Sequence, residues 1–229
     1  MTAPVWFPPV QLDHTEQVRP HLGASPSFGA KKLDGPQAFL VRRPASMGRL
    51  RVHWHAVAQF QYFTDGAARV GGHRVERGDV HFADALTPYG PLDPAEDGVA
   101  FLTLRQVDDQ GAFYMPDAQA ALRDERAARA ATLPRRNLTF ALRSAGAGVL
   151  AADDDGMGVE VVDLAHGATA VVEPGGAGAY VVVVDGSLAE GDEPLVANSF
   201  GYIADAACVR AGRHGARVGV LRFPRHTAG

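Results

Sequence analysis

The chain has 229 residues, 46% of them hydrophobic, with 22 Lys and Arg against 26 Asp and Glu for a formal charge of −4. That length can bury a sizeable core, and a mildly acidic balance with no basic stripe gives no reason to expect nucleic acid as a partner. Cys208, the single cysteine, excludes an internal disulfide and a thiolate-rich zinc site and reads as a small buried hydrophobe.

The start, "MTAPVWFPPVQLDH", lacks the charged and apolar regions of a signal peptide, and no apolar run is long enough to span a membrane, so a cytoplasmic protein is expected. The 26 glycines and 15 prolines are scattered singly, which favours many short elements joined by turns. Residues 1–36 read as an extended arm with one or two short strands, and Trp6, Phe7 and Trp54 as packing residues. From residue 37 to 106, "QAFLVRRP", "LRVHWHAV", "QFQYFTDG", "HRVERGDVHFAD" and "GVAFLTLRQV" are short β-type runs. The segment 107–137 contains "MPDAQAALRDERAARAATLPRR", read as one surface helix with Asp117 as N-cap and Pro134 as terminator. It links the first β region to a second over 138–229, where "AYVVVV" should be a buried strand. The pairs Arg42-Arg43 and Arg135-Arg136 read as solvated surface.

The halves echo each other. A shift of 120 positions lays "HWHAVAQFQYFTDG" over "EPGGAGAYVVVVDG", with Asp65-Gly66 on Asp185-Gly186. Both Asp-Gly pairs read as turns. "AFLTLR" ending at Arg105 likewise resembles "VGVLR" ending at Arg222, a pattern that implies duplication.

The stretch "RVHWHAVAQFQYFTDG" carries the chemistry. Alternate residues of a strand share a face, about 7 Å apart, so His53 and His55 project together with Trp54 behind them. Two imidazoles so placed can meet on one metal ion at about 2.0–2.2 Å, and Gln59 could return to the same point as a neutral ligand. Gln59 and Gln61 share one face; Phe60 and Tyr62 share the other.

His53-Trp54-His55, then Gln59, then Gly66 resembles the first motif of the cupin superfamily in both spacings. "RGDVHFADALTPYGP" resembles the second motif through Gly78-Asp79, but Tyr89 stands at the family's histidine, and Asp84 and Leu86 replace its Pro-x-Gly. Gln59 stands where the family has Glu. In the second half, Glu173, Gly175 and Ala179 replace His53, His55 and Gln59, so that half resembles a cupin only in its strand pattern. The resemblance implies an all-β bicupin: two antiparallel β-sandwich barrels with one linker helix, the second barrel degenerate and without metal ligands.

Two functions follow from it. The first is an enzyme of dioxygenase or isomerase type using Fe, Mn, Ni or Zn held by His53, His55 and Gln59, with His81 or Tyr89 completing the site and acting in catalysis. The second is a metal-free barrel that binds or senses a small molecule. In either case Gln61, Phe63 and Arg105 are assigned to the substrate pocket, where an inward Arg105 could anchor a carboxylate. Tyr89 reads equally as part of a rigid loop set by Pro88 and Pro91. Arg222, His73, His166 and His214 read as surface residues. The expected partner is a small-molecule ligand, with no nucleic acid and no membrane, and exposed sheet edges suggest a homodimer.

Overall fold

The structure, a computed structural model, describes residues 5–7, 36–107, 109, 111–129, 133–190 and 193–225. Most of the expected N-terminal arm therefore lies outside the described residues. The elements in chain order are β1 (Val5–Phe7), β2 (Gln37–Arg43), β3 (His53–Trp54), β4 (Gln59–Val70), β5 (His73–Glu76), β6 (Asp79–Ala83), β7 (Leu92–Arg105) and β8 (Phe113–Tyr114). After the helix α1 (Gln119–Ala128) follow β9 (Asn137–Ala141), β10 (Gly148–Ala152), β11 (Gly158–Leu164), β12 (Thr169–Val172), β13 (Ala179–Glu190), β14 (Glu193–Val196), β15 (Phe200–Ile203) and β16 (Ala207–Arg222). The strands pair antiparallel, and the fold is the all-β one expected. No helix among the described residues is long and apolar enough to cross a membrane.

The chain divides into two compact units. The first ends at Ala141, and the second comprises Leu142–Arg225 with the N-terminal strand β1. In the first unit a sheet runs β2-β7-β4-β6-β9, with β5 on β4, and β3 pairs β8. In the second the order is β1-β15-β13-β16-β11-β10, with β12 on β16 and β14 on β13. Asn137–Ala141, grouped from sequence with the second half from residue 138, instead pairs with β6 and completes the first sheet. The helix also belongs to the first unit. Its buried Leu122 packs with Trp54 and Leu86, and Trp54 stacks on Phe113 at 4.2 Å between ring centroids. Ala118, not Asp117, is the N-cap, and it makes no side-chain capping bond. Asp117 is drawn off to Arg51 at 2.7 Å.

The likeness between the halves extends to the backbone of one strand in each. β4 and β13 each span 12 residues, and each breaks register at the same steps against its partner, Phe63/Asp65 and Gly66/Ala68 in one, Val183/Asp185 and Gly186/Leu188 in the other. The Asp-Gly pairs are thus bulges inside long strands, not hairpin turns. The reason is local: Gly66 takes φ 65° and Gly186 φ 71°, and a Cβ would stand 2.2 Å from Gly98 O at the first and 2.3 Å from Gly215 O at the second. Only glycine fits such a bulge.

The two interiors differ in chemistry. In the second unit Ala179, Val181 and Val183 point with Leu188, Ile203, Val209, Val218 and Val220 into one aliphatic cluster. At the corresponding positions the first unit has Gln59, Gln61 and Phe63. Cys208 is exposed rather than buried; it lies opposite Val171 on the outward face of β16, and Val171 is itself exposed.

Candidate functional site

The site begins with a backbone bridge. His53 and Tyr89 pair antiparallel, with His53 N to Tyr89 O at 3.2 Å and Tyr89 N to His53 O at 3.0 Å. Residues paired this way put their side chains on one side, so the "TPYGP" loop delivers its phenol directly to His53. With Trp54 fixed on the far side under α1, His53 and His55 face inward together. Their ring centroids are 5.2 Å apart and nearly perpendicular, at 83°.

The turn after β6 carries a non-glycine residue in the left-handed region. Leu86, standing at the glycine position, has φ 56°, a left-handed conformation costing a non-glycine residue about 1–2 kcal/mol. The neighbourhood holds it there. Leu86 N donates to His55 O at 2.8 Å, Arg126 donates to Leu86 O at 3.1 and 2.5 Å, and the side chain is buried beside Trp54. Asp84 receives the backbone N–H and guanidinium of Arg136 at 2.6, 2.9 and 2.8 Å. Arg136 is therefore a clamp on this turn, not the solvated residue expected.

Donor and acceptor roles in the centre follow from chemistry alone. A guanidinium only donates, so the Gln59 atom 3.1 Å from Arg105 Nε and 2.9 Å from Nη2 is the carbonyl Oε1. Its amide nitrogen then donates to the Tyr89 hydroxyl at 2.5 Å. At the other end, His53 Nδ1 lies 2.8 Å from the carbonyl of Arg51 and must carry the hydrogen. That leaves His53 Nε2 as acceptor for the Tyr89 O–H at 2.8 Å. A single directed chain results: Arg105 to Gln59 to Tyr89 to His53 to the Arg51 carbonyl.

A second arm starts at His55. Its Nδ1 lies 2.7 Å from Asp109 Oδ2 and donates to it, so the Arg105 Nη2 found 3.2 Å from the same nitrogen is a close contact and not a hydrogen bond. Asp109 also accepts from Gly111 N at 3.0 Å and Ala56 N at 3.2 Å, with Arg105 Nη1 3.2 Å away. Burial opposes ionisation of Asp109, but the His55 bond and the Arg105 charge outweigh it and hold its carboxyl below the usual range. Burial lowers both imidazoles: His53 to about 4, and His55 in the same direction against its bond to Asp109. Burial also pushes the Tyr89 phenol up. Near pH 7 the site therefore holds neutral imidazoles, a neutral phenol and the matched Arg105–Asp109 ion pair.

His53, His55, Gln59, Tyr89 and Arg105 thus come together. His81 joins them, its ring 5.3 Å from that of Tyr89 and its Nδ1 3.1 Å from Thr139 Oγ1. Gln61 is buried on the same face. Phe63 lies one row deeper, in an apolar cluster with Val75, Leu92 and Phe101. Arg105 turns inward, but Gln59 and Asp109 take its donors, so it is not an open anchor for a carboxylate. His73, His166 and His214 are exposed, as expected. Asp109 and Thr139 had not been singled out from sequence. The signal for Asp109 was an acidic pair, Asp108-Asp109, just past the strand that ends in Arg105; nothing in "NLTFA" marks Thr139.

The residues do not fit the metal that the cupin resemblance implies. The Tyr89 hydroxyl caps His53 Nε2, the nitrogen that would face an ion, and Arg105 takes the carbonyl of Gln59. Among the described residues no three His, Cys, Asp or Glu side chains are grouped to share an ion. Arg105 adds a positive charge beside the histidines.

No protein-family model matches the chain, and no curated protein matches its sequence. Solved structures do. A proposed dioxygenase from Nostoc punctiforme superposes with a TM-score of 0.58 at 13% identity, over 85% of this chain and 71% of that one. Oxalate decarboxylase from Bacillus subtilis, studied for its Mn(II) centres, gives 0.50 at 16% identity over 85% and 70%. A tryptophan-to-tyrosine variant of the same enzyme gives 0.50 at 15% identity. The chain shares the all-β sandwich fold of these proteins.

Proposed function

We propose that the first unit is a cupin-type barrel that binds a small organic molecule without a metal, and that the second is a degenerate copy kept for its packing. The observation carrying this reading is the Tyr89 hydroxyl, bonded to both His53 and Gln59 where an ion would stand. The contrast with the aliphatic interior of the second unit supports assigning the site to the first. Polar groups are costly in a barrel interior unless they are matched, and here they are matched by one another along a directed chain. His55 adds an acid–base element: Asp109 fixes its tautomer with hydrogen on Nδ1, leaving the Nε2 lone pair for a bound molecule. Organic acids such as the substrate named for the decarboxylase neighbour suit this site poorly, because Arg105 is already matched.

The runner-up reading is a mononuclear metal enzyme of dioxygenase or isomerase type with His53 and His55 as ligands. The perpendicular His53–His55 pair favours it, but it needs Tyr89 to leave His53. Ligand-detected NMR of the full chain against a small-molecule library, repeated with chelator and with added Mn(II), tests the proposal. Ligands that bind equally with chelator support the metal-free barrel; binding that appears only with the ion supports the runner-up.

A further inference from the structure

Below the chain of hydrogen bonds lies a second polar row that the chain does not use. Gln61 is the cross-strand partner of both Thr103 and His81, and His81 of Thr139, so these four side chains cross the sheet on one face. In β4 and β7 this row falls between the Gln59–Arg105 pair and the Phe63–Phe101 pair. Two of its atoms, Gln61 Oε1 and His81 Nε2, have no hydrogen-bond partner among the described residues, on side chains only 2% and 1% exposed.

Leaving a buried polar atom unmatched costs about 1–3 kcal/mol, and native interiors rarely tolerate it without a water or ligand to fill the place. Here two such atoms share one row and one face, above the apolar cluster of Phe63, Val75, Leu92 and Phe101. Neither atom carries charge: an amide oxygen only accepts, and burial lowers His81 to about 4, so its ring is neutral near pH 7. Arg105, the cation of the neighbouring chain of bonds, is matched by Asp109 at 3.2 Å. An anion would meet the Gln61 carbonyl oxygen with nothing to offset its charge. A hydroxyl or amide N–H, in contrast, can donate to Gln61 while its own oxygen or a second group meets His81.

We propose that the Gln61–His81 row is the recognition element for the small molecule, and that it selects a neutral compound with a hydroxyl or amide end and an apolar body. The polar end sits on Gln61 Oε1 and His81 Nε2, and the apolar part lies toward Phe63 and Phe101. This rests on the metal-free binding reading above and names the chemical class it accepts.

The test is a titration of isotope-labelled full-length protein followed at the glutamine and histidine side-chain resonances. The probes are benzyl alcohol and acetamide as neutral donors, with benzoate and acetate as matched anions. The expected result is saturable shifts at Gln61 and His81 with the neutral probes, and affinity weaker by about tenfold or more for the anions. Gln61→Leu should weaken the neutral probes by a similar factor, its unchanged spectrum elsewhere showing that it folds. Should that variant misfold, the neutral-against-anion comparison in the natural chain decides alone. Anions saturating the row as well as the neutral probes would overturn the proposal. Probes that shift only His53, His55 and Gln59 would overturn it while leaving the binding reading intact. Probes that shift no barrel residue would mean the row holds only water and would overturn both.

Discussion

Removing one oxygen tests the directed chain. Tyr89→Phe deletes the hydroxyl that accepts from Gln59 at 2.5 Å and donates to His53 at 2.8 Å, while the ring keeps its packing against Phe63 and Leu92. Two groups lose their partner at once, the Gln59 amide N–H and the His53 Nε2 lone pair, on side chains 1% and 3% exposed. At about 1–3 kcal/mol for each buried group left unmatched, less what an entering water restores, the loss is about 2–4 kcal/mol. For a chain of this size that lowers the melting temperature by roughly 4–15 °C. Thermal unfolding by circular dichroism measures it, with Tyr114→Phe on the half-exposed neighbour as a control expected to change little. A Gln59→Leu/Tyr89→Phe double-mutant cycle should show coupling on the order of 1 kcal/mol. A Tyr89→Phe protein as stable as the natural chain, with no coupling to Gln59, would mean the hydroxyl is not engaged and the chain of bonds is not formed.

Other perturbations have equally definite outcomes. Asp109→Asn leaves buried Arg105 without its counter-charge and turns one of the two accepting oxygens into an amide nitrogen that faces other donors, and should cost about 3–5 kcal/mol in urea unfolding; a loss under about 1 kcal/mol would contradict the pairing. Acid should weaken the fold early. His53 and His81 are both lowered from 6.5 to about 4, so between those values the unfolded chain takes up protons that the folded one refuses. Their contribution is complete above pH 6.5 and drains as pH falls toward 4, on the order of several kcal/mol for the pair. An unfolding midpoint that stays flat between neutral pH and the lowered histidine values would refute it. Gly66→Ala and Gly186→Ala should each be severely destabilising, since the new Cβ meets a carbonyl oxygen at 2.2 or 2.3 Å. Gly72→Ala, with no described atom within 4 Å of its Cβ, serves as the tolerated comparison; if all three expressed and melted alike, the bulge geometry would be wrong.

The strands were legible because their period and bounding turn residues are local properties. The burial of "AYVVVV" came from its unbroken apolar run, and the inward pairing of His53 and His55 from alternation. The likeness of β4 and β13 was legible too, although their Asp-Gly pairs suggested hairpins. Whether such a pair turns the chain or bulges a continuing strand depends on Gly98 and Gly215 lying opposite, which is a tertiary matter. Three features of the site were hidden for the same reason. Arg105 turns inward because Gln59 and Asp109 receive it across strands and loop. Tyr89 reaches His53 through a bridge between residues 36 positions apart. Thr139 enters because β9 joins the first sheet, which no local pattern in the segment announces. Cys208 was misjudged on composition: small and apolar, it still faces out, because its place in the alternation of β16 outweighs its preference.

The Tyr89 hydroxyl in the place of an ion is the central claim, and metal content tests it most directly. Tag-free protein purified without chelator would be assayed by mass spectrometry, then titrated with Fe(II), Mn(II), Ni(II) and Zn(II), beside Tyr89→His and a His53→Ala/His55→Ala double variant. The result expected is a natural chain that carries and accepts no stoichiometric ion, with binding appearing in Tyr89→His once the hydroxyl is gone and a third imidazole supplied. Near-stoichiometric metal in the natural chain, lost in the double variant, would contradict the account and make the histidines ligands after all.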